Sequence, residues 1–582
     1  MGIRVHLAAL LLFAWPCLVP RVLAPSSEPI HPSISALADR YVAIRLAADP
    51  TVADRSGLKG RQDELPNLSP ASLRHFNDEE DTLWSELSKI SPETISADDR
   101  PTYAVLKEAL TANRGLRVCK TELWDLSHYW GWQTQFSRIA ASQPVDTPEE
   151  REAALRRWAS LPTYLHQDVE NLKTGLAQGY SAPKSVVKRV IRQIDGLIVA
   201  DPAKSPFASP ALRSKDADFN AAFIKIVTDQ IDPALKEYRA FLITEYLPRA
   251  REALAVSALP QGRACYEAAL RKFTTLSRSP EEVFSLGEAI VAKNQTETIT
   301  IGRRLYGTDD YTTIIARNKE APGNHFASAD DLLAFSRQTL SRAIEKSRPL
   351  FFHLPDQPVV IEPLPAFEEG SGVDAHYNPQ PDPSKPGKYI LPLDTWRSET
   401  RGDAEITVFH ETIPGHHLQR ALARQMQHTG DIFKLSFNSA YIEGWARYAE
   451  RLSEEAGLYT TDYAKIERRV WPAHGMVIDP GIHVFGWSNQ KAIDYLKATG
   501  QFDDRTASDL LDRIAVMPGQ LTAYDTGGSE IFALRKEAED ALGPRFDLRE
   551  FNQQVLEEGV VPLEELQAHV GTWIKEKAKN SK

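Results

Sequence analysis

The sequence predicts a mainly α-helical protein: a helical N-terminal lobe, a second lobe carrying a metal-like motif, and a small edge sheet just ahead of that motif. Three observations carry this reading. Apolar residues recur at helical spacing between recognisable caps over most of the chain. The few strand-like runs collect between residues 357 and 393, and residues 404 to 426 read as two helical pieces joined by Pro-Gly.

Taken in order, residues 1 to 24 come first. Arg4 and His6 precede the apolar run LAALLLFAWPCLV, and Ala24 stands at a plausible cleavage point. The stretch resembles a secretory signal peptide. The run is too short to span a bilayer, and Pro16 and Pro20 interrupt it. Export to a periplasmic or extracellular compartment is therefore expected, with no stable membrane span after cleavage. Residues 25–260 read as the helical N-terminal lobe. Within it, TPEEREAALRRWASLPTYLHQDVENLKTGLAQG reads as one helix, with a capping box at Thr147 and Glu150 and a stop at Gly179. A soft boundary is expected at LPQG, residues 259 to 262, with residues 261–582 forming the metal-site lobe, continuous with the first.

In the second lobe, SPEEVFSLGEAIVAKNQTETITIGRRL opens with Ser279 and Pro280 and reads as a long helix. QPVVIEPL and GKYILPL read as strands, and the proline in each pushes both toward sheet edges. SEIFALRKEAEDALG, FDLREFNQQVLEEG and PLEELQAHVGTWIKEKAKNSK return to helical spacing.

Composition narrows the function classes. With 42% hydrophobic and 25% charged residues, the 582-residue chain is an ordinary globular sequence. Its formal net charge of −11, made more negative by loss of Arg4 and Arg21 with the leader, argues against nucleic acid as a partner. Cys119 and Cys265 remain after residue 24, and an oxidising compartment permits a disulfide between them without requiring one.

The chemistry concentrates in HETIPGHHLQ, residues 410 to 419. In an HExxH motif two histidines four apart share a zinc ion and the adjoining glutamate activates water. Here Pro414 takes the second histidine's position, and a helix carrying His410 must kink or end there. On an unbroken helix His416 would lie about 240° around from His410, and His417 about 20° off but roughly 10.5 Å along the axis. A two-residue bulge at Pro414-Gly415 would bring His416 back beside His410. His410 and His416 are thus the expected metal ligands, with His417 as a neighbouring or substrate-facing group and the reverse assignment of the two left open. Glu411 is the expected catalytic base. Glu443, in AYIEGWARYAERL, is the expected third ligand from another helix, against the alternative of an ion pair with Arg447; Glu450 is expected to support the site.

These motifs resemble the bacterial family called domain of unknown function 885, whose signature is similar to HExxPGHHLQ followed by EGWAxYxE. GLAQGYSAPKSVV, LPQGRACYEAALRKFTT, IDPGIHVFGWSNQKAIDYL and PGQLTAYDTGG resemble further landmarks in the same order, so the likeness covers essentially the whole chain after the leader. Gly475, Pro480, Asp525 and Asn552 depart from the pattern, where arginine, threonine, lysine and histidine are common. The motif logic is similar to that of helical gluzincin-type zinc peptidases, which implies a two-lobed zincin-like body with a deep cleft. Tyr524 and His483, from LTAYDTGG and DPGIHVFGW, are the expected catalytic hydrogen-bond donors, and Tyr377 with the strand GKYILPL a substrate contact.

The expected activity is that of an exported zinc-dependent (Zn2+) metallopeptidase acting on short peptides, of carboxypeptidase or oligopeptidase type. A zinc amidase acting on a non-peptide substrate is the alternative within the same chemistry. A catalytically inactive zincin-like binding protein is the alternative outside it.

Overall fold

The computed structural model describes residues 32–364, 374–380, 382–425, 430–436 and 438–579. The expected leader, residues 1–24, lies outside them. Among the described residues the fold is mainly helical, with one three-stranded sheet. No helix among them is long and apolar enough to cross a membrane.

The caps read from sequence set the helix starts. Thr147 and Glu150 exchange capping-box bonds at Pro148–Ala159, and Ser279 and Glu282 do so at Pro280–Tyr306, which ends at Gly307 with φ +66°. The single helix expected over 147 to 179 is instead two, Pro148–Ala159 and Leu161–Ala177. Pro162 is responsible: it has no N–H to continue the ladder and is tolerated only in a first turn, so a new helix begins beside it.

The cores do not divide at residue 260. One apolar cluster joins Leu37, Leu83 and Leu106 of the first helices to Val408, Trp445 and Tyr448 around the motif. A second, built from Trp158, Val190, Phe223 and Tyr246 among others, belongs to residues 126 to 250. The N-terminal helices Ile34–Ala48, Pro70–Leu87 and Arg100–Leu116 therefore support the site half. An amphipathic stripe shows that a helix face is buried, without naming the surface that buries it.

Cys119 and Cys265 form a disulfide, with Cα atoms 4.7 Å apart, inside a third apolar cluster. The bridge ties the turn after the third of those helices to the helix Gly262–Thr274, across 146 residues of chain. Closing so long a loop restricts the unfolded chain. Replacing both cysteines with serine is expected to lower the unfolding free energy by about 2–5 kcal/mol, read as a lower denaturant midpoint. An unchanged midpoint would contradict it.

The sheet consists of β1 (Val359–Pro363), β2 (His376–Asn378) and β3 (Gly387–Leu391), in the order β1-β3-β2. β3 runs parallel to β1 and antiparallel to β2. GKYILPL is thus the central strand, not an edge: Pro392 falls just after the last paired residue, where it interrupts no ladder bond. β1, from QPVVIEPL, and β2 are the edge strands, and β2 lies over the motif.

Candidate metal centre

His410 occupies the last turn of the helix Arg401–Glu411, and the chain resumes as a helix at His416. Between them Thr412 leaves helical geometry, and the Ile413-Pro414 peptide is cis. Pro414 offers no N–H to the His410 carbonyl. Gly415 folds back against the carbonyls so freed: a Cβ there would stand 1.9 Å from the His410 oxygen and 2.4 Å from the Phe409 oxygen. Only glycine fits this joint. The Trp445 indole N–H donates to the Pro414 carbonyl at 2.9 Å. Left unmade at this buried position, that bond would cost about 1–3 kcal/mol. It pins the joint to the helix Ser439–Glu455, two residues from Glu443.

The joint turns His416 back toward His410, their ring centroids 4.7 Å apart and their planes nearly perpendicular. His417 faces the sheet. Its Nε2 meets the Gln357 carbonyl at 2.9 Å and its Nδ1 the Tyr377 hydroxyl at 3.0 Å. Burial lowers its pKa to about 4, so the ring is neutral: Nε2–H donates to Gln357 and Nδ1 accepts from Tyr377.

Glu443 closes the group. Its Oε2 lies 3.6 Å from His410 Nε2 and 3.4 Å from His416 Nε2. Both separations exceed the roughly 2.7–2.9 Å of a charge-assisted hydrogen bond. They match the edges, about 3.3–3.6 Å, of a tetrahedron whose centre bonds nitrogen and oxygen at about 2.0–2.2 Å. Two imidazoles and a carboxylate oxygen are a donor set that suits a zinc-sized cation, and the two Glu443 separations fit its coordination shell. His410, Glu411 and His416 also present atoms within 4.8 Å of one another. Glu411 is also tied to the sheet: its Oε2 accepts from the Tyr377 amide of β2 at 2.8 Å.

The surrounding charges favour ligation through His410 Nε2, because His410 Nδ1 meets Glu450 Oε1 at 2.8 Å. A carboxylate on the far nitrogen fixes ring orientation and tautomer in metal-binding histidines. Burial alone would lower the His410 pKa; Glu443 and Glu450 outweigh it and push it up to about 10. Burial likewise acts to raise Glu443 and Glu450, but the two histidines hold Glu443 far below the carboxylate range, and Arg447 holds Glu450 down. Arg447 donates to both Glu450 oxygens, at 2.9 and 3.2 Å, and its Nε lies 3.5 Å from Asp525. It is Glu450 and Asp525 that Arg447 pairs with, leaving Glu443 for the histidines. Asp525, one of the departures noted above, thus shares a buried cation with Glu450.

Tyr524 reaches the same place through a close helix crossing. A Cβ on Gly444 would stand 2.4 Å from the Gly527 carbonyl carbon, so the helices Ser439–Glu455 and Ala523–Leu542 touch backbone to backbone. Tyr524 lies one turn before Gly527, and Glu443 directly precedes Gly444. Burial, then the charge of Glu443, raises the phenol to about 12, so at neutral pH it keeps its proton and can donate. His483 is elsewhere. Its Nδ1 accepts from the Val256 amide at 3.0 Å, its Nε2 donates to the Ile514 carbonyl at 3.1 Å, and its ring stacks on Tyr266. Burial lowers it to about 3. With both nitrogens bound to backbone it is a packed core residue, and the expectation of a catalytic His483 is corrected. Of the remaining departures, Asn552 accepts from the Tyr448 hydroxyl at 2.8 Å and donates to the Leu350 carbonyl, while Pro480 is buried inside the helix His474–His483.

Four contacts escape sequence reasoning: the Tyr377 amide on Glu411, the Trp445 cap on Pro414, the Arg447–Asp525 pair, and Arg513 beside Tyr524. Only Arg447 left a trace, as a cation in EGWARYAE three residues before Glu450.

The family model described as bacterial protein of unknown function (DUF885) matches residues 50–570. The chain belongs to that family. Solved structures share its fold. A candidate lipoprotein from Colwellia psychrerythraea superposes with a TM-score of 0.84 at 21% identity, over 94% of this chain and 100% of its own. A candidate lipoprotein of unknown function from Shewanella oneidensis does so with a TM-score of 0.78 at 18% identity, over 92% of this DUF885 chain and 99% of its own. No curated protein matches the chain.

Proposed function

We propose that this DUF885 protein is an exported zinc-dependent metallopeptidase hydrolysing short peptides, with His410, His416 and Glu443 as the zinc ligands. The observation that carries the reading is the position of the Glu443 oxygen, 3.6 and 3.4 Å from two imidazole nitrogens, with His410 braced by Glu450 from behind. Two imidazoles with a carboxylate suit zinc better than the harder oxygen-seeking cations. Export is supported by the leader-like residues 1–24, by a disulfide suited to an oxidising compartment, and by structural neighbours named as candidate lipoproteins.

Zinc, when bound, supplies Lewis acidity that polarises a carbonyl and acidifies water. Glu411, steered by the Tyr377 amide, takes the proton of the attacking water and passes it to the leaving amine. Hydroxide adds to the acyl carbon, the C–N bond breaks, and the products are one carboxylate and one amine. Tyr524 keeps its phenolic proton and donates to the oxygen on which negative charge develops.

Metal analysis joined to a peptide-library digest tests this. The expected result is one zinc per chain, with peptide cleavage that a chelator abolishes and added zinc restores. A zinc-loaded protein that cleaves no peptide, or cleavage that survives metal removal, would overturn it.

A further inference from the structure

Beside the candidate metal centre, and sharing Tyr524 with it, lies a cavity of about 240 Å³. Trp471, Phe502, Leu510 and Leu521 form its apolar wall, and Arg447, Asp525 and Arg513 its polar side. Gly475 also lines it, packed so closely on Leu521 that a Cβ would stand 2.5 Å from the Leu521 backbone oxygen. The volume is below the roughly 300–1,000 Å³ of a pocket for a drug-sized ligand and suits one large side chain with its end group.

The two arginines differ in how their charge is met. Arg447 is neutralised by Glu450 and Asp525. Arg513 has no carboxylate within ion-pair distance among the described residues; Glu443 and Asp479 act on it only from farther away. Its Nη2 donates to the Gln520 side-chain oxygen at 2.9 Å and to the Tyr524 hydroxyl at 3.3 Å, and its guanidinium stands over the Tyr129 ring, 5.4 Å from the centroid. Its Nε, like that of Arg447, is buried without a hydrogen-bond partner. An amide, a phenol and an aromatic face orient the half-buried guanidinium without forming an ion pair with it, which leaves it able to take an anion directly. The planar fork of arginine matches a carboxylate, which it binds through two parallel N–H bonds.

Position completes the argument. Arg513 touches the hydroxyl of Tyr524, the residue that the Gly444–Gly527 crossing holds beside Glu443. An anion on Arg513 and a carbonyl oxygen on Tyr524 are then separated by about one residue of extended peptide. On the reading of the site as a peptidase, we propose that Arg513 receives the free C-terminal carboxylate of the substrate and that the apolar wall takes its last side chain, which makes the protein a carboxypeptidase for large apolar C-terminal residues. The bond hydrolysed is the last peptide bond, its nitrogen leaving as the amine of the released amino acid.

The test uses Ala-Ala-Phe as free acid and as C-terminal amide, on zinc-loaded full-length protein. Hydrolysis is read by chromatography, and binding to the Glu411→Gln variant by calorimetry, so that recognition is measured with or without turnover. The free acid is expected to bind and react roughly a hundredfold better than the amide, the scale of an unpaired buried charge partner. Arg513→Met is expected to bring the acid down to the level of the amide while zinc content stays at one per chain, and Arg513→Lys to recover part of the preference. Acid and amide handled alike by the unaltered protein would overturn the assignment while leaving the hydrolase reading standing. Selective binding of the acid through Arg513 without any turnover would do the reverse, removing the hydrolase and keeping the carboxylate site. A preference for the acid that survives Arg513→Met, in a variant whose thermal melt is unchanged, would also overturn it.

Discussion

Glu411→Gln is expected to lower kcat on a short peptide by roughly 10²–10⁴-fold, about 3–5 kcal/mol of transition-state stabilisation, while one zinc per chain is retained. The separation of the two readouts follows from what the side chain touches. Glutamine preserves shape and an acceptor oxygen, so the Tyr377 amide of β2 keeps its 2.8 Å bond and the strand stays seated over the motif. The proposed ligand atoms belong to His410, His416 and Glu443, none of which the change alters. What disappears is a carboxylate able to take a proton from water. Kinetics and metal analysis on the same preparation decide the matter: activity within about twofold of the unaltered protein would exclude Glu411 as the base, because general-base catalysis contributes at least about a hundredfold. Loss of the metal with the activity would instead identify Glu411 as a ligand.

The sequence made part of this site legible and hid the rest for identifiable reasons. The helix starts at residues 148 and 280 announced themselves through side chains that bond backbone within three residues. The same locality let Pro414 signal a broken helix, and helical angles alone pointed to His416 if the break inserted two residues. His483 deceived because its identity suits chemistry, while its fate depends on the backbone of Val256 and Ile514, far along the chain. GKYILPL deceived because a proline next to a strand reads like a proline in it. The N-terminal helices carried apolar stripes that gave no address, and they packed under a motif some 300 residues away. The Arg447 charge was visible, but its sharing between Glu450 and Asp525 required the crossing at Gly444 and Gly527.

His416→Ala is expected to reduce bound zinc from one per chain to near zero after dialysis, with peptide hydrolysis falling to background, whereas His417→Ala keeps the metal. Two adjacent histidines of the same chemistry make this a sharp comparison. His416 points its Nε2 at the Glu443 oxygen, 3.4 Å away, and losing it leaves only one imidazole and one carboxylate around the common point. Changes to groups that merely support a ligand cost about 10–100-fold in metal affinity, and removal of a ligand costs more. His417 spends both nitrogens on Gln357 and Tyr377, so its loss leaves a buried carbonyl and hydroxyl unpaired and destabilises the sheet contact by about 1–3 kcal/mol. The two variants thus fail in different measurements, one in metal content and the other in melting temperature. A His416→Ala protein that still holds one zinc, with His417→Ala stripped of it, would reverse the assignment. It would also mean that the Pro414-Gly415 joint opens in solution to a geometry other than the one in which Gly415 rests on the His410 carbonyl.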